Sequence, residues 1–330
     1  MDNNVRHRLE WIDWMKFIGM YFIIAGHFFP VFDLYIYVFN VPLFFIISGF
    51  LSKKEPDSRL FWRKIWFNLI GPTLLIALLN YIISLIIGTF DIKDVCYVVR
   101  DGLLGFQYVY GACWFIVSLA ILRIIHQYSG RKCFLLFIPL FLFLSYAYNH
   151  IDFEEISTFL GRPNSVFNVC SAYPFYAFGA LIKTHKSIIE HISNIKLFLL
   201  FLIGFALVCL CGNSNGYVWL YRCGYGRDLL LFLIGGISGT CCIFAISKAL
   251  GKASKSVLEI SAGTVVVLGF HQHVISLIRT YIQPSPFDYV FALIILLLFI
   301  PIIAVVQKYC PFLLGKYRAK SLTDVSSNRL

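Results

Sequence analysis

Apolar side chains fill this chain in runs of about twenty, broken by short polar or Gly/Pro-containing stretches. The runs fall near 12–31, 34–52, 64–88, 111–127, 133–148, 167–183, 195–211, 228–248, 260–280 and 288–308. A helix crossing a bilayer needs ~20 mostly apolar residues. Barrel strands would instead be ~9–11 residues of alternating polarity, and runs such as 69–79 and 291–306 do not alternate. The pattern predicts an all-α, polytopic integral membrane protein with about ten transmembrane helices in one bundle. A short cytoplasmic N-terminus (1–11) precedes the membrane domain (12–310), and a cytoplasmic tail (311–330) follows it.

Composition strengthens this reading. Hydrophobic residues make up 59% of the chain and charged residues 14%, with a mean hydropathy of +0.78. Soluble domains average ~45–50% apolar and ~25% charged, so a soluble fold, a disordered chain and a disulfide scaffold are all excluded. The net charge of +11 would suit nucleic acid, but that needs a basic, aromatic face on a soluble module, and none is present. With the N-terminus placed in the cytoplasm, twenty of the 28 Lys and Arg fall on inner segments and six on the outer side. Lys16 and Arg123 remain, inside spans near their inner ends. That asymmetry is what the positive-inside rule predicts; the chain is expected in the cell's inner (plasma) membrane with both termini cytoplasmic. Arg6 and Arg8 before an apolar run mimic a secretory signal, but Asp13, Lys16 and His27 inside the run and the lack of a small-residue cleavage site predict an uncleaved span. The ten cysteines lie mostly in spans without metal-ligand spacing and read as small apolar residues. Cys96 and Cys223 share the outer side and are able to pair.

Ionisable and amide side chains inside spans are costly, and they mark sites. His27 lies 14 residues after Asp13, about 21 Å up the first helix, in the outer half of the membrane. Asn40, about 9 Å into the inward-running second span, reaches the same depth, and Pro42 frees a carbonyl nearby. Both histidine and amide also suit plain interhelical packing. At the inner edge Lys53, Lys54, Arg59, Arg63 and Lys64 lead into the third span. The first two read as topology anchors, whereas Arg63 and Lys64 start the helix and suit an anionic ligand such as a nucleotide phosphate. Asp13 and Lys16 form an i, i+3 pair at the inner end of the first span. The ninth span carries Gly269-Phe270-His271-Gln272-His273 near mid-membrane. Residues two apart point to different faces, so at most one of these histidines shares a cavity with His27. Two histidines without a carboxylate or thiolate at fixed spacing do not make a metal site, and no metal is expected.

These clusters resemble the acyltransferase-3 membrane family. The resemblance rests on Arg8, Trp11-Ile12-Asp13-Trp14-Met15-Lys16, Gly26-His27 and the stretch from Asn40-Val41-Pro42 through Ser48-Gly49-Phe50-Leu51. It continues with a basic start to the third helix ending in Pro72, then Cys113-Trp114-Phe115 and Pro174-Phe175-Tyr176-Ala177-Phe178-Gly179. It ends with Ser261-Ala262-Gly263-Thr264 and Gly269-Phe270-His271. The ordered set covers nearly the whole chain. It implies transfer of an acyl group, usually acetyl, from cytoplasmic acyl-CoA to a hydroxyl of a glycan, a lipid-linked saccharide or another envelope molecule. In that picture acetyl-CoA is a co-substrate and no cofactor is tightly bound. The family's essential histidine falls on His27, and its CoA-phosphate motif on Arg63 and Lys64. Asn68 stands where members often have Arg, which shifts weight to Arg59, Arg63 and Lys64.

The chemistry agrees with the residues. A thioester needs an oriented nucleophile and a base rather than a metal. His27 is expected to take the acceptor's proton, with Asn40 orienting the ring or the oxyanion and His271 nearby; an acyl-histidine intermediate is the alternative. Lys16, Arg59, Arg63 and Lys64 are the candidate donor contacts. A carrier or flippase uses the same kinds of residue, although Pro42 and Pro72 have no counterparts in the second half that would indicate a repeat. A non-catalytic scaffold accounts for no buried histidine. The acids of the outer loops (Asp91, Asp94, Asp101, Asp152, Glu154, Glu155) read as a solvated face. Oligomeric state, acceptor and acyl chain are not legible.

Overall fold

The computed structural model describes residues 8–88, 111–151 and 164–315. Within them the chain is helical, with no strand and one isolated bridge between Trp219 and Gly224. The helices are α1 (Glu10–His27), α2 (Asp33–Leu51), α3 (Ser58–Ile65), α4 (Gly71–Ile87), α5 (Trp114–Tyr128), α6 (Arg131–His150), α7 (Asn164–Ile182), the one-turn α8 (Lys186–Glu190), α9 (Asn194–Asn215), α10 (Leu229–Ala249), α11 (Lys255–Ala262), α12 (Thr264–Tyr281) and α13 (Asp288–Tyr309). Each of the ten expected runs carries helix. Six stretches are long and apolar enough to cross a membrane on their own: α2, α3 with α4, α6, α9, α10 and α13. The α11–α12 pair makes a seventh if it counts as one span. Among the described residues six or seven stretches thus have the length and apolarity of a span, against the expected count of about ten.

Two of the runs are not simple rods. Where 64–88 predicts one span, the helix starts at Ser58 and runs to Ile87 through a π-turn at Trp66–Ile70. Pro72 accounts for the turn. It has no N–H for the carbonyl four residues back and its ring crowds that carbonyl, and a local π register relieves both. The expected 260–280 span is broken at Gly263, where α11 and α12 meet at 85°. There a Cβ would stand 2.4 Å from Ile303, so only glycine lets α13 come so near the break.

Helix α2 is central, packed against α1, α7, α9 and α10. Its contact with α7 is backbone to backbone. A Cβ on Gly49 would lie 2.0 Å from the Tyr176 carbonyl oxygen, and one on Gly179 would lie 2.0 Å from that of Ile46. Small residues at a crossing allow this approach. Two cores flank α1 and α2. One joins α1, α4, α12 and α13 through Ile24, Ile76, Val266 and Ile295. The other joins α2, α5, α7 and α10 through Phe45, Leu122, Phe175 and Phe232. Away from the cores, α6, α9 and α13 turn Leu136, Phe143, Phe198, Ile203 and Leu298 outward. Apolar surface this continuous belongs in lipid. The loop acids at 91–101 and 152–155, Cys96 and the tail beyond 315 lie outside the described residues.

Candidate functional site at His27

Helix α1 stops at His27 because Pro30 cannot extend it, and a five-residue turn, 28–32, leads into α2. Phe29 and Phe32 adopt left-handed backbone there, with φ of 50° and 78°, a conformation that disfavours non-glycine residues. The turn is held from outside by side chains of α12, α13 and α2. Arg279 of α12 donates to the Phe28 carbonyl at 2.7 Å and forms a two-pronged ion pair with Asp288, at 3.0 and 2.6 Å. Asp288 is fully buried. Tyr289 donates to the Val31 carbonyl, and Tyr37 to the Gly26 carbonyl at 3.1 Å. The far end of α1 is fixed as well. Asp13 accepts from Arg8 at 2.6 and 2.8 Å and from Ser261 at 2.5 Å. It thereby ties Arg8 and α11 to the inner end of α1.

At the head of α1 the two histidine rings meet edge to face, their centroids 4.7 Å apart. Hydrogen-bond partners assign their protons. His271 Nδ1 faces the carbonyls of Val267 and Leu268 at 2.9 and 3.0 Å, so it carries the hydrogen and Nε2 is bare. That bare nitrogen lies 3.4 Å from His27 Nδ1, which also stands 2.7 Å from the Ile23 carbonyl. Both neighbours accept, so His27 Nδ1 carries a hydrogen. In the neutral ring this leaves the remaining nitrogen of His27, Nε2, with the bare lone pair. His273 points elsewhere, its Nε2 3.0 Å from Asn80 on α4, so only one of the two α12 histidines meets His27.

Two cavities meet at this ring. One, of about 240 Å³, runs along α1 from Lys16 past Met20 and Ile23 to His27, with Arg123, Ser48, Trp114 and the start of α12 (Thr264, Val265) in its wall. The other, of about 170 Å³, opens at the opposite end and is lined by His27, Asn40, Tyr37, Trp114, Trp219 and Tyr221. Asn40 is buried, and its Oδ1 accepts the Val41 N–H at 2.8 Å. That contact fixes the amide orientation and leaves Nδ2 as a donor toward the α1–α2 interface, where it lies 3.4 Å from the Cβ position of Gly26. Beside the α1–α2 turn Tyr217 donates to Asp33 at 2.6 Å. That bond, then burial and the carboxylate charge, hold its hydroxyl protonated up to about 12.

The expected catalytic residues His27, Asn40 and His271 thus come together, and Lys16 lies at the foot of the first cavity. Arg59, Arg63 and Lys64 do not line that cavity among the described residues. Arg59 and Arg63 are exposed on α3, and Lys64 pairs with Glu55 at 2.7 Å. Arg123, read from the sequence as a topology charge, lines the cavity instead; the available signal was a lone cation inside an apolar run. A family model described as an acyltransferase domain matches residues 9–306. No curated protein and no solved structure matches the chain.

Proposed function

The chain belongs to this acyltransferase family, and from that premise we propose that it is a membrane O-acetyltransferase. In this reading an acetyl group passes from acetyl-CoA on the cytoplasmic side to a hydroxyl of a cell-envelope glycan or lipid-linked saccharide. One observation carries the proposal: the His27 ring borders both cavities, so a donor and an acceptor can reach one base, its Nε2, from opposite ends.

The donor enters from the end of α1 that carries Lys16. From Lys16 to His27 is 11 residues, about 16 Å of helix, a span suited to the extended pantetheine arm of a CoA thioester. Lys16, Arg123 and the positive start of the half-helix α12 favour its anionic parts. The exposed Arg59 and Arg63, with Lys64 behind Glu55, offer the nucleotide phosphates a basic surface outside the cavity. The acceptor enters from the opposite cavity. His27 Nε2 removes the hydroxyl proton as the oxygen attacks the thioester carbonyl. His27 then becomes an imidazolium whose Nδ1–H is held by the Ile23 carbonyl and His271 Nε2. Asn40 Nδ2 donates to the tetrahedral oxyanion. When that oxyanion collapses, the C–S bond breaks, and the CoA thiolate takes the proton from His27. Because both substrates reach the ring at once, direct transfer is favoured over an acyl-histidine.

The test uses the full-length chain in lipid vesicles with acetyl-labelled acetyl-CoA and an envelope fraction. Label should appear in the acceptor only when the protein is present. Movement of unlabelled acceptor across the vesicle, with no label on it, would replace this reading with that of a carrier.

A further inference from the structure

The walls of the second cavity are unusual for a protein in lipid. Phe29, Tyr37, Trp219 and Tyr221 line it, and with Tyr217 beside the cavity they form a continuous aromatic surface, with successive ring centroids 6.0–6.3 Å apart. Trp and Tyr commonly gather at membrane interfaces as a lipid-facing belt. These differ in that Tyr37, Trp219 and Tyr221 line the same cavity as His27 and Asn40. The loop that carries Trp219 and Tyr221 is also rigidly built. Trp219 and Gly224 exchange both backbone hydrogen bonds, at 2.9 and 3.0 Å. Buried Asn215 brackets the loop by donating to the Tyr225 carbonyl at 2.6 Å and accepting the Asp228 N–H at 2.6 Å. Asn149 donates to the Cys223 carbonyl at 3.0 Å, and the Arg222 guanidinium lies 5.4 and 5.2 Å from the Trp219 and Tyr221 rings.

We propose that this cavity is a sugar subsite in which a pyranose ring stacks on Trp219, flanked by Tyr37 and Tyr221, and presents one hydroxyl to His27. The inference rests on the reading of His27 as the acyl-transfer base, and it names the acceptor's reacting unit. A pyranose has an apolar C–H face and a polar rim, which matches aromatic faces edged by phenol hydroxyls and Asn40. A lipid alcohol would call for an aliphatic slot instead. Trp219 keeps 38% of its surface exposed, which leaves area for a ligand to cover.

The experiment measures binding without any acyl donor. Full-length wild type, Trp219→Ala and Trp219→Phe are placed in nanodiscs. Each is titrated with methyl glycosides of the common neutral hexoses, hexosamines and hexuronic acids, and separately with dodecanol, by saturation-transfer NMR. Unfolding midpoints confirm that each variant is folded. At least one glycoside should bind the wild type, about tenfold more weakly Trp219→Ala, and within about threefold of wild type Trp219→Phe, since a ring face is retained. Equal glycoside binding by wild type and Trp219→Ala, or dodecanol binding with no glycoside binding, would overturn the subsite. Failure of acetyl transfer would overturn the reading of His27 and is read in a separate assay. A folded protein that transfers acetyl but binds no glycoside therefore removes only the subsite.

Discussion

Removing the Arg279 guanidinium tests whether the site depends on one clamp, anchored on the buried Asp288. Arg279→Met keeps an apolar stem of similar length and deletes three hydrogen bonds, two to Asp288 and one to the Phe28 carbonyl. Asp288 is then a buried carboxylate without its counterion. Breaking such a pair from one side costs about 3–5 kcal/mol. Asp288 retains the Ser285 N–H at 3.3 Å and its place at the positive start of α13, which together set the loss at the lower figure, about 3 kcal/mol. At about 2 °C per kcal/mol for a chain of this size, the unfolding midpoint should fall by about 6 °C. A thiol-reactive fluorophore reads this directly, because Cys113, Cys170, Cys211 and Cys242 are buried until the helices separate, while exposed Cys133 sets the baseline. Arg279→Met with Asp288→Asn removes the charge imbalance and should recover most of the loss, leaving about 1 kcal/mol for the unsatisfied Phe28 carbonyl. A single variant melting within about 1 °C of wild type, or a double variant no better than the single, would refute the clamp.

Three further outcomes follow from the same geometry. His271→Leu removes the acceptor facing His27 Nδ1 and should lower kcat by about 100-fold; His271→Gln offers a carbonyl oxygen near the Nε2 position and should retain more, both read by transfer kinetics. Lys16→Met and Arg123→Met should each raise the KM for acetyl-CoA about tenfold with little change in kcat, whereas Arg59→Gln on the outer surface of α3 should change it less than threefold. Gly179→Ala forces a methyl against the Ile46 carbonyl, 2.0 Å away, so α2 and α7 must part; a loss of at least about 2 kcal/mol is expected by the same thiol assay.

The residues that were legible in advance are the ones a bilayer makes costly. His27 and Asn40 stood out because each interrupts a long apolar run, and counting the helical rise placed them at one depth. The rule that residues two apart face different ways separated His271 from His273, and the structure places His273 against Asn80. Contacts that depend on three-dimensional juxtaposition were not legible. Arg279 and Asp288 lie nine residues apart across the α12–α13 turn, a spacing no helical period connects. Arg123 looked like an anchor because its neighbours are apolar and its depth is shallow. Trp219, Tyr221 and Tyr37 were hidden among the many aromatics of a membrane chain. Gly263 carried no proline to announce a break, and the 85° bend sits where Ile303 of α13 comes within 2.4 Å of the glycine's Cβ position. The expected donor cluster divides for a similar reason: α3 is amphipathic, and burying Phe61 and Ile65 turns Arg59 and Arg63 outward.

Acetyl transfer by His27→Ala tests the central claim most directly. The variant is compared with wild type at equal amounts of folded protein, with acetyl-labelled acetyl-CoA as donor and the envelope fraction as acceptor. Loss of the base should lower the rate by about 10²–10⁴-fold while the affinity for CoA stays within about threefold of wild type. Transfer at the wild-type rate would contradict the assignment of His27.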